Sequence, residues 1–408
     1  MDKINIAGIN ISTLSKEGVL EKIRSFLSFG QHQITTPNPE FVVRALKDEE
    51  FFYVLNNSSL AIADGFGLVL AGKVLGSKIE KIHGSDLIYD ICRIAEQEKK
   101  SVYLLGGKGG VAKSAAANLK KIFPDLIIAG TDEGFKDGEW ELEEGHWVRG
   151  EEKNKLLIEE INGVGPDIIF VAFGHPKQDK WIYHNLKNMP SVKIAMGVGG
   201  SFDFISGKVR RAPNFLRALG MEWFWRLAIE PWRWKRIIDA VIIFPWKFFK
   251  WKYVLPHFYR PNVACVLYKK EGDRYKILLV KRNDIYEHWQ LPQGGTDGEK
   301  LEKAGARELR EELGTDKFKP VASFKNLHKY AFSKAIKTSQ IKRYSGFKGQ
   351  KQGLFIAEFL GNDKDIKIKF WDHEAWKWVD SERLLEEIHF MRRESAKIFL
   401  EKFSQVIK

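Results

Sequence analysis

The sequence predicts an α/β protein: a doubly wound parallel sheet, then a short basic helical appendage, then a smaller α+β domain. Three observations carry this. The first ~190 residues alternate wholly apolar runs with amphipathic ones, as strands buried on both faces and their covering helices do. Composition shifts sharply after about residue 205 toward basic and tryptophan-rich. Beyond about residue 260, apolar strand-type runs resume around one charged helix. At 408 residues the chain is long enough for two or three domains. The divisions expected are 1–205, 206–255 and 256–408.

In chain order, "HQITTP" and "LAIAD" are short strands, and "SVYLLGG", "DLIIAGT", "DIIFVAFG" and "VKIAMGVGG" are longer ones. "SDLIYDICRIAEQEKK" and "VAKSAAANLKKIF" between them have helical periodicity. Ligands in such sheets bind beyond the strand C-termini, where several of these runs end in glycine or small polar residues. Residues 208–260 hold twelve basic and three acidic residues, a net +9 of the chain's +13, and six of its thirteen tryptophans. In the last part "NVACVLYKK", "YKILLVKR", "GLFIAEF" and "WKWVD" are strands, with a helix over 299–313.

The pI near 9.3 points to an anionic partner. Cys92 and Cys265 lie far apart in apolar surroundings and are expected reduced and buried, as in a cytoplasmic protein. The N-terminus lacks a signal-peptide layout, and no apolar run reaches the ~18 residues of a membrane span.

Four loops of the first part concentrate chemistry. Thr36 and Asn38 sit in "TTPNPEF", stiffened by Pro37 and Pro39. Asp64 is flanked by Gly65 and Gly67 in "ADGFG". The turn containing Gly106 and Gly107 in "LLGGKGGVAKSA" nearly matches a P-loop, but Ala112 replaces the second glycine and no downstream strand ends in a metal-holding Asp. A glycine-rich strand-to-helix turn whose N–H groups face a diphosphate fits it better. Gln178 follows a strand in "FGHPKQDKW".

"TPNPEFV", "ADGFGLVLAGKVLG", "HGSDLIYDI", "LLGGKGGVAKSAAANL", "PDIIFVAFGHPKQDKWI" and "MGVGGSFDFISGKVRRAP…LGMEWFWRLAIEPWRWKR" occur in that order. Over about residues 3–250 this resembles the WecG/TagA/CpsF glycosyltransferases (glycosyltransferase family 26). The resemblance implies a Rossmann-like fold and inverting transfer of an N-acetylmannosamine-type sugar. The donor would be a UDP-sugar, the acceptor a polyprenyl-diphosphate-linked sugar of cell-surface polysaccharide or teichoic acid, and no metal would be needed. Asp64 matches the family's base, Thr36 a functional threonine, and Gln178 a position near the donor; Asn38 can hydrogen-bond sugar or phosphate. Without a metal, departing UDP needs cations and N–H dipoles. The Gly106–Gly110 turn, Arg210 and Arg211, and the appendage arginines Arg226, Arg233 and Arg236 are the groups expected to supply them.

The interleaved Trp and Lys/Arg of 220–254 suit RNA stacking, an ordinary core with a solvated face, or a membrane surface. The last is favoured, because tryptophans settle at headgroup depth and basic residues attract anionic lipid. The expected site of action is therefore cytoplasmic, peripheral on the inner face of the cell membrane. A homo-oligomer is compatible with the sequence.

On the predicted helix, Glu308, Glu311 and Glu312 (i, i+3, i+4) share a face, and Leu309 and Leu313 point to a core. Arg307 can pair with Glu311. Three crowded carboxylates call for a divalent cation. "Gly294…Glu299-x7-Arg307-Glu308-Leu309-x-Glu311-Glu312-x-Gly314" resembles the Nudix box, although Gly294 and Glu299 are separated by four residues where the family has five. "WQLPQGG", "FKGQKQGLFIAEF" and "EIHFMRRESAKIFLEKF" resemble the branch of diadenosine polyphosphate hydrolases and RNA pyrophosphohydrolases; Gly353 and Leu354 replace its usual aromatic pair. The resemblance implies a Nudix fold hydrolysing a nucleoside polyphosphate with Mg2+ (or Mn2+) held by Glu308, Glu311 and Glu312. It also suggests phosphate contacts from Arg282, Lys348 and Lys351, and an additional acid at Glu374. The alternative to a bifunctional enzyme is an RNA 5′-pyrophosphohydrolase with a non-catalytic N-terminal binding module.

Overall fold

The computed structural model describes the chain except residues 1, 136–137, 144–145, 210–211, 214–223, 226, 228–230, 232–233, 284–285, 333–345, 369–372 and 408. It forms two compact units, Met1–Lys252 and Tyr253–Lys408.

The first unit is a six-stranded parallel sheet. Its strands are β3 (His32–Thr35), β4 (Leu60–Ala61), β5 (Ser101–Gly106), β6 (Ile127–Asp132), β9 (Ile168–Ala172) and β10 (Ile194–Gly197), in the order β4-β3-β10-β9-β5-β6. The apolar runs are unbroken because both faces are covered. Val102, Leu104, Phe170 and Met196 enter one core, while Tyr103, Leu105, Ile169, Val171 and Ala195 enter the other. The covering helices are α1 (Lys16–Ser28), α2 (Pro39–Ala45), α3 (Glu49–Asn57), α4 (Phe66–Val74), α5 (Gly84–Gln97), α6 (Val111–Ile122), α7 (Glu151–Val164), α8 (Lys177–Asn185) and α9 (Ser201–Ile205). Ser15, Asn38 and Asp48 cap α1, α2 and α3 by accepting backbone N–H bonds. Two hairpins lie outside the sequence expectation: β1 (Lys3–Ile6) with β2 (Ile9–Ser12), and β7 (Glu141–Glu143) with β8 (His146–Arg149).

After α9, a helical run resumes with α10 (Trp234–Ile238), a π-helical turn Asp239–Ile243 and α11 (Phe244–Phe249). The wide turn falls where it is needed, because Pro245 has no N–H to give the preceding turn and its ring crowds that turn's carbonyl. Phe244 and Phe248 bury into a third core with Phe41, Val42, Leu68 and Ala71. Among the described residues no helix is long and apolar enough to cross a membrane.

The second unit centres on β11 (Tyr259–Glu271), β12 (Arg274–Arg282), β13 (Trp289–Gln290), β14 (Gln293–Gly295), β15 (Phe318–Ala331), β16 (Gly349–Phe359) and β17 (His373–Asp380). The path is β13-β12-β11-β16-β15, with β14 on β11 and β17 on β12; β11 and β16 run parallel over ten residue pairs. The helices are α12 (Leu301–Leu313), α13 (Leu384–Glu387) and α14 (Arg393–Val406). Helix α12 packs Leu301, Leu309 and Leu313 on one face against Val263, Cys265 and Leu267; α14 packs Ala396, Phe399 and Phe403 on the other. The helix predicted from residue 299 starts at Leu301, so Glu299 precedes it, and it ends at Gly314 in the left-handed conformation. Both cysteines are free and buried.

Candidate active sites

Parallel strands put the loops after β3, β4, β5, β9 and β10 along one edge of the first sheet. Those loops carry the predicted residues. The Asp64 N–H donates to the Pro37 carbonyl at 2.8 Å, tying the β4 loop to the β3 loop. Its carboxylate accepts from the Gly84 N–H at 3.2 Å through Oδ2, and His83 Nδ1 stands 3.4 Å from Oδ1. A Cβ on Gly84 would lie 3.3 Å from both Asp64 Oδ2 and Thr36 Oγ1, so these two side chains border one point. Thr36 is buried and Asp64 half-exposed. Asn38 spends its side-chain oxygen on capping α2, accepting from the Phe41 N–H at 3.0 Å. The imidazole at His83 was not anticipated as a neighbour of Asp64; the "HG" pair opening α5 was its trace in the sequence.

Gln178 is buried on the β9–β10 side, where its Oε1 accepts from the N–H groups of Gly174 (3.1 Å) and Gly199 (2.9 Å). It joins two loop ends rather than pointing a free oxygen at a ligand. Gly106 and Gly107, with φ of +102° and +81°, end β5 and open the turn after it, two strands from β10. At that turn the Gly110 N–H donates to Glu133 Oε1 at 2.6 Å, so a side-chain carboxylate holds one N–H expected to face a diphosphate.

Arg236 does not end in open space. Its Nε donates to Glu40 Oε1 at 2.6 Å, and His175 Nε2 lies 2.9 Å from the same oxygen. Burial would raise the Glu40 pKa, but hydrogen bonds and charge from His175 and Arg236 outweigh it and hold the carboxyl below its ordinary value. The contact fastens the 234–249 run to α2 and the β9 loop. Arg210, Arg211, Arg226 and Arg233 lie outside the described residues.

In the second unit, Glu308 and Glu312 are buried and Glu311 is half-buried, so the predicted acidic face is not a solvated one. Arg307 lies among them. Its Nη1 is 2.8 Å from Glu308 Oε1 and 2.8 Å from Glu311 Oε2, its Nε donates to Glu299 Oε2 at 2.9 Å, and its Nη2 donates to the Gly295 carbonyl at 2.7 Å. Burial opposes the Arg307 charge, yet the surrounding glutamates raise its pKa above the ordinary guanidinium value. Glu312 accepts from the Gln293 N–H at 3.3 Å, and His373 Nδ1 stands 3.9 Å away. A Cβ on Gly294 would collide with the Glu308 carboxyl, which therefore rests in a cradle that only glycine leaves open. Among the described residues no group of three or more His, Cys, Asp or Glu side chains is spaced to hold a cation; Arg307 supplies the positive charge among them. The donor chemistry, two buried carboxylates and a third on the same face, suits a hard divalent ion.

The remaining predicted residues are dispersed. Arg282 lies at a register shift opposite His373, and exposed Lys348 has its ammonium 5.7 Å from the Tyr259 ring centre. Glu374 is paired with Lys281 at 3.0 Å; its neighbour His373 is the residue of this strand beside Glu312.

The first unit therefore has the architecture of a nucleotide-type α/β transferase, with a Thr–Asp pair at the strand ends. A model of the glycosyl transferase WecG/TagA/CpsF family matches residues 4–257, and the chain belongs to that family. A NUDIX domain model matches residues 258–401. A Bacillus subtilis (strain 168) N-acetylglucosaminyldiphosphoundecaprenol N-acetyl-beta-D-mannosaminyltransferase is 33% identical over 236 residues, 58% of this chain and 86% of the relative. A Staphylococcus aureus (strain MRSA252) protein of the same name is 31% identical over 256 residues, 61% and 93% of the two chains. Among solved structures, a C. elegans Ap4A hydrolase is 22% identical, with a TM-score of 0.28, covering 36% of this chain and 97% of that one.

Proposed function

We propose that the first unit transfers an N-acetylmannosamine-type sugar from a UDP-sugar to an N-acetylglucosaminyl-diphosphoundecaprenol acceptor at the inner face of the cell membrane. Asp64 takes the proton from the acceptor hydroxyl. That oxygen attacks the anomeric carbon from the side opposite UDP, the bond from carbon to phosphate oxygen breaks, and the configuration inverts. Thr36 and Asn38 orient the donor; Gln178 holds the β9 and β10 loops in position. The departing diphosphate takes its counter-charge from Arg211, Arg226, Arg233 and Arg236, Arg236 being released from Glu40 to do so. The observation that carries this reading is the meeting of Asp64 and Thr36 beside Gly84 within a chain of this family. Purified full-length protein is expected to convert UDP-N-acetylmannosamine with a short-chain acceptor, and Asp64→Asn to lower that rate about 10²- to 10⁴-fold. An unchanged rate in the Asn variant would remove Asp64 from the mechanism.

The second unit is proposed to hydrolyse a nucleoside polyphosphate. Glu308, Glu311 and Glu312 would hold a divalent cation, Mg2+ or Mn2+, which lowers the pKa of bound water and neutralises phosphate charge. Arg307 keeps Glu308 and Glu311 in one arrangement, Gln293 orients Glu312, and Arg282 and Lys348 meet phosphate. Support comes from the glycine cradle at Glu308 together with the NUDIX match. Glu312→Gln should abolish cleavage of the nucleoside polyphosphate without affecting sugar transfer.

A further inference from the structure

Helix α4 starts two residues after Asp64. Its inner residues Leu68, Ala71 and Gly72 are buried, while Phe66, Leu70 and Val74 are 56%, 51% and 44% exposed. Spaced four apart, these three form one apolar stripe. Helix α11 packs alongside, with Phe244 filling the space above Gly67, whose added Cβ would stand 3.5 Å from that ring. The neighbouring run repeats the pattern: Phe244 and Phe248 go inward while Ile242 and Trp246, each 60% exposed, face out with Phe249. Single exposed apolar residues are ordinary, but two adjacent helices each with an apolar outer stripe are not.

The rim is cationic. Lys73, Lys235, Lys247 and Lys250 flank the stripes, and Lys252 Nζ donates to the Val74 carbonyl at 2.6 Å, closing the end of α4. Residues 66–74 contain no acidic residue and 234–252 contain one, Asp239. A second copy laid on this surface would bring lysine rims together, whereas anionic headgroups complement them.

We propose that α4 and the 238–249 run form one composite surface that lies in the plane of an anionic bilayer, seating the helix that follows Asp64 at headgroup depth. This rests on the lipid-linked acceptor reading above: an acceptor diphosphate held among headgroups then presents its sugar hydroxyl beside the Asp64 loop. The surface thus reaches beyond the basic, tryptophan-rich segment into the catalytic α/β fold itself.

The test uses the full chain and sedimentation with vesicles of phosphatidylglycerol and phosphatidylethanolamine, or of phosphatidylcholine alone, with no sugar donor present. Wild-type protein should bind the anionic vesicles. Leu70→Asp/Val74→Asp should bind them about tenfold more weakly, with an unchanged thermal midpoint and unchanged transfer to a water-soluble acceptor. Leu70→Gln/Val74→Gln, which keeps helix propensity, should shift binding the same way. Phe29→Asp, at an exposed apolar residue after α1, should bind like wild type. Equal binding by the α4 variants, equal loss in Phe29→Asp, or equal wild-type binding to neutral vesicles would overturn the proposal. So would a wild-type dimer in sedimentation velocity that the α4 variants dissociate while vesicle binding persists. Absence of sugar transfer with vesicle binding intact would instead refute the transferase reading and leave this one standing.

Discussion

Asp179, next to Gln178 on α8, has a fully buried side chain, and burial pushes its pKa up to about 7, offset only in part by its own backbone N–H and Gln178. The folded chain therefore binds this proton more tightly than the unfolded chain, whose carboxyl titrates near 4. Its contribution is fully present below the unfolded pKa and is lost as pH rises through about 7. Between pH 4 and 8 the stability of Asp179→Asn relative to wild type should improve on the order of 2–4 kcal/mol. Urea unfolding across that range checks the slope. In the other unit, Gly294→Ala should cut hydrolysis sharply, because the methyl occupies the space of the Glu308 carboxyl; chromatographic kinetics of nucleoside polyphosphate cleavage beside a circular dichroism spectrum would show it. Residues such as Asp64, Thr36 and Glu308 were legible because glycines, prolines or helical spacing single them out. His83, His373 and Glu133 were not, since each acquires its partner only when separate loops or strands are brought together.

At the scale of elements, the parallel strands were readable because burial on both faces leaves an apolar run with no alternation. The β1–β2 hairpin was missed because its turn is Ala7-Gly8, with φ of +49° and +95°, rather than an Asn-Gly or Asp-Gly pair. Strand β15 was missed because FKPVASFKNLHKYA is mostly solvent-facing and mixed in character, so its place is set by pairing with β16. The basic segment showed its charge but not its inward residues: Phe244 and Phe248 are core, and the π-helical turn before Pro245 sets the phase that points them inward. Phe248→Ala should cost about 3–5 kcal/mol of stability in the first unit. Thermal unfolding followed with probes specific to each unit would register the loss in that unit alone.

At the scale of the molecule, the hydrophobic clusters formed by the described residues separate by unit: three draw on residues of the first unit and two on residues of the second. Chains ending at Lys252 or starting at Tyr253 should each fold, the first retaining sugar transfer and the second nucleoside polyphosphate hydrolysis. Mixing them and comparing with the intact chain measures what the covalent link adds; equal rates would mean that it adds no channelling. The sequence divides at about residue 205 by composition and at about 255 by the return of strand-type runs, whereas the contact boundary after Lys252 reflects where packing partners change. Separate cores also have a genetic meaning: a single missense allele can silence either half and spare its companion, so complementation between two such alleles would reveal, inside a living cell, which lesion belongs to which activity.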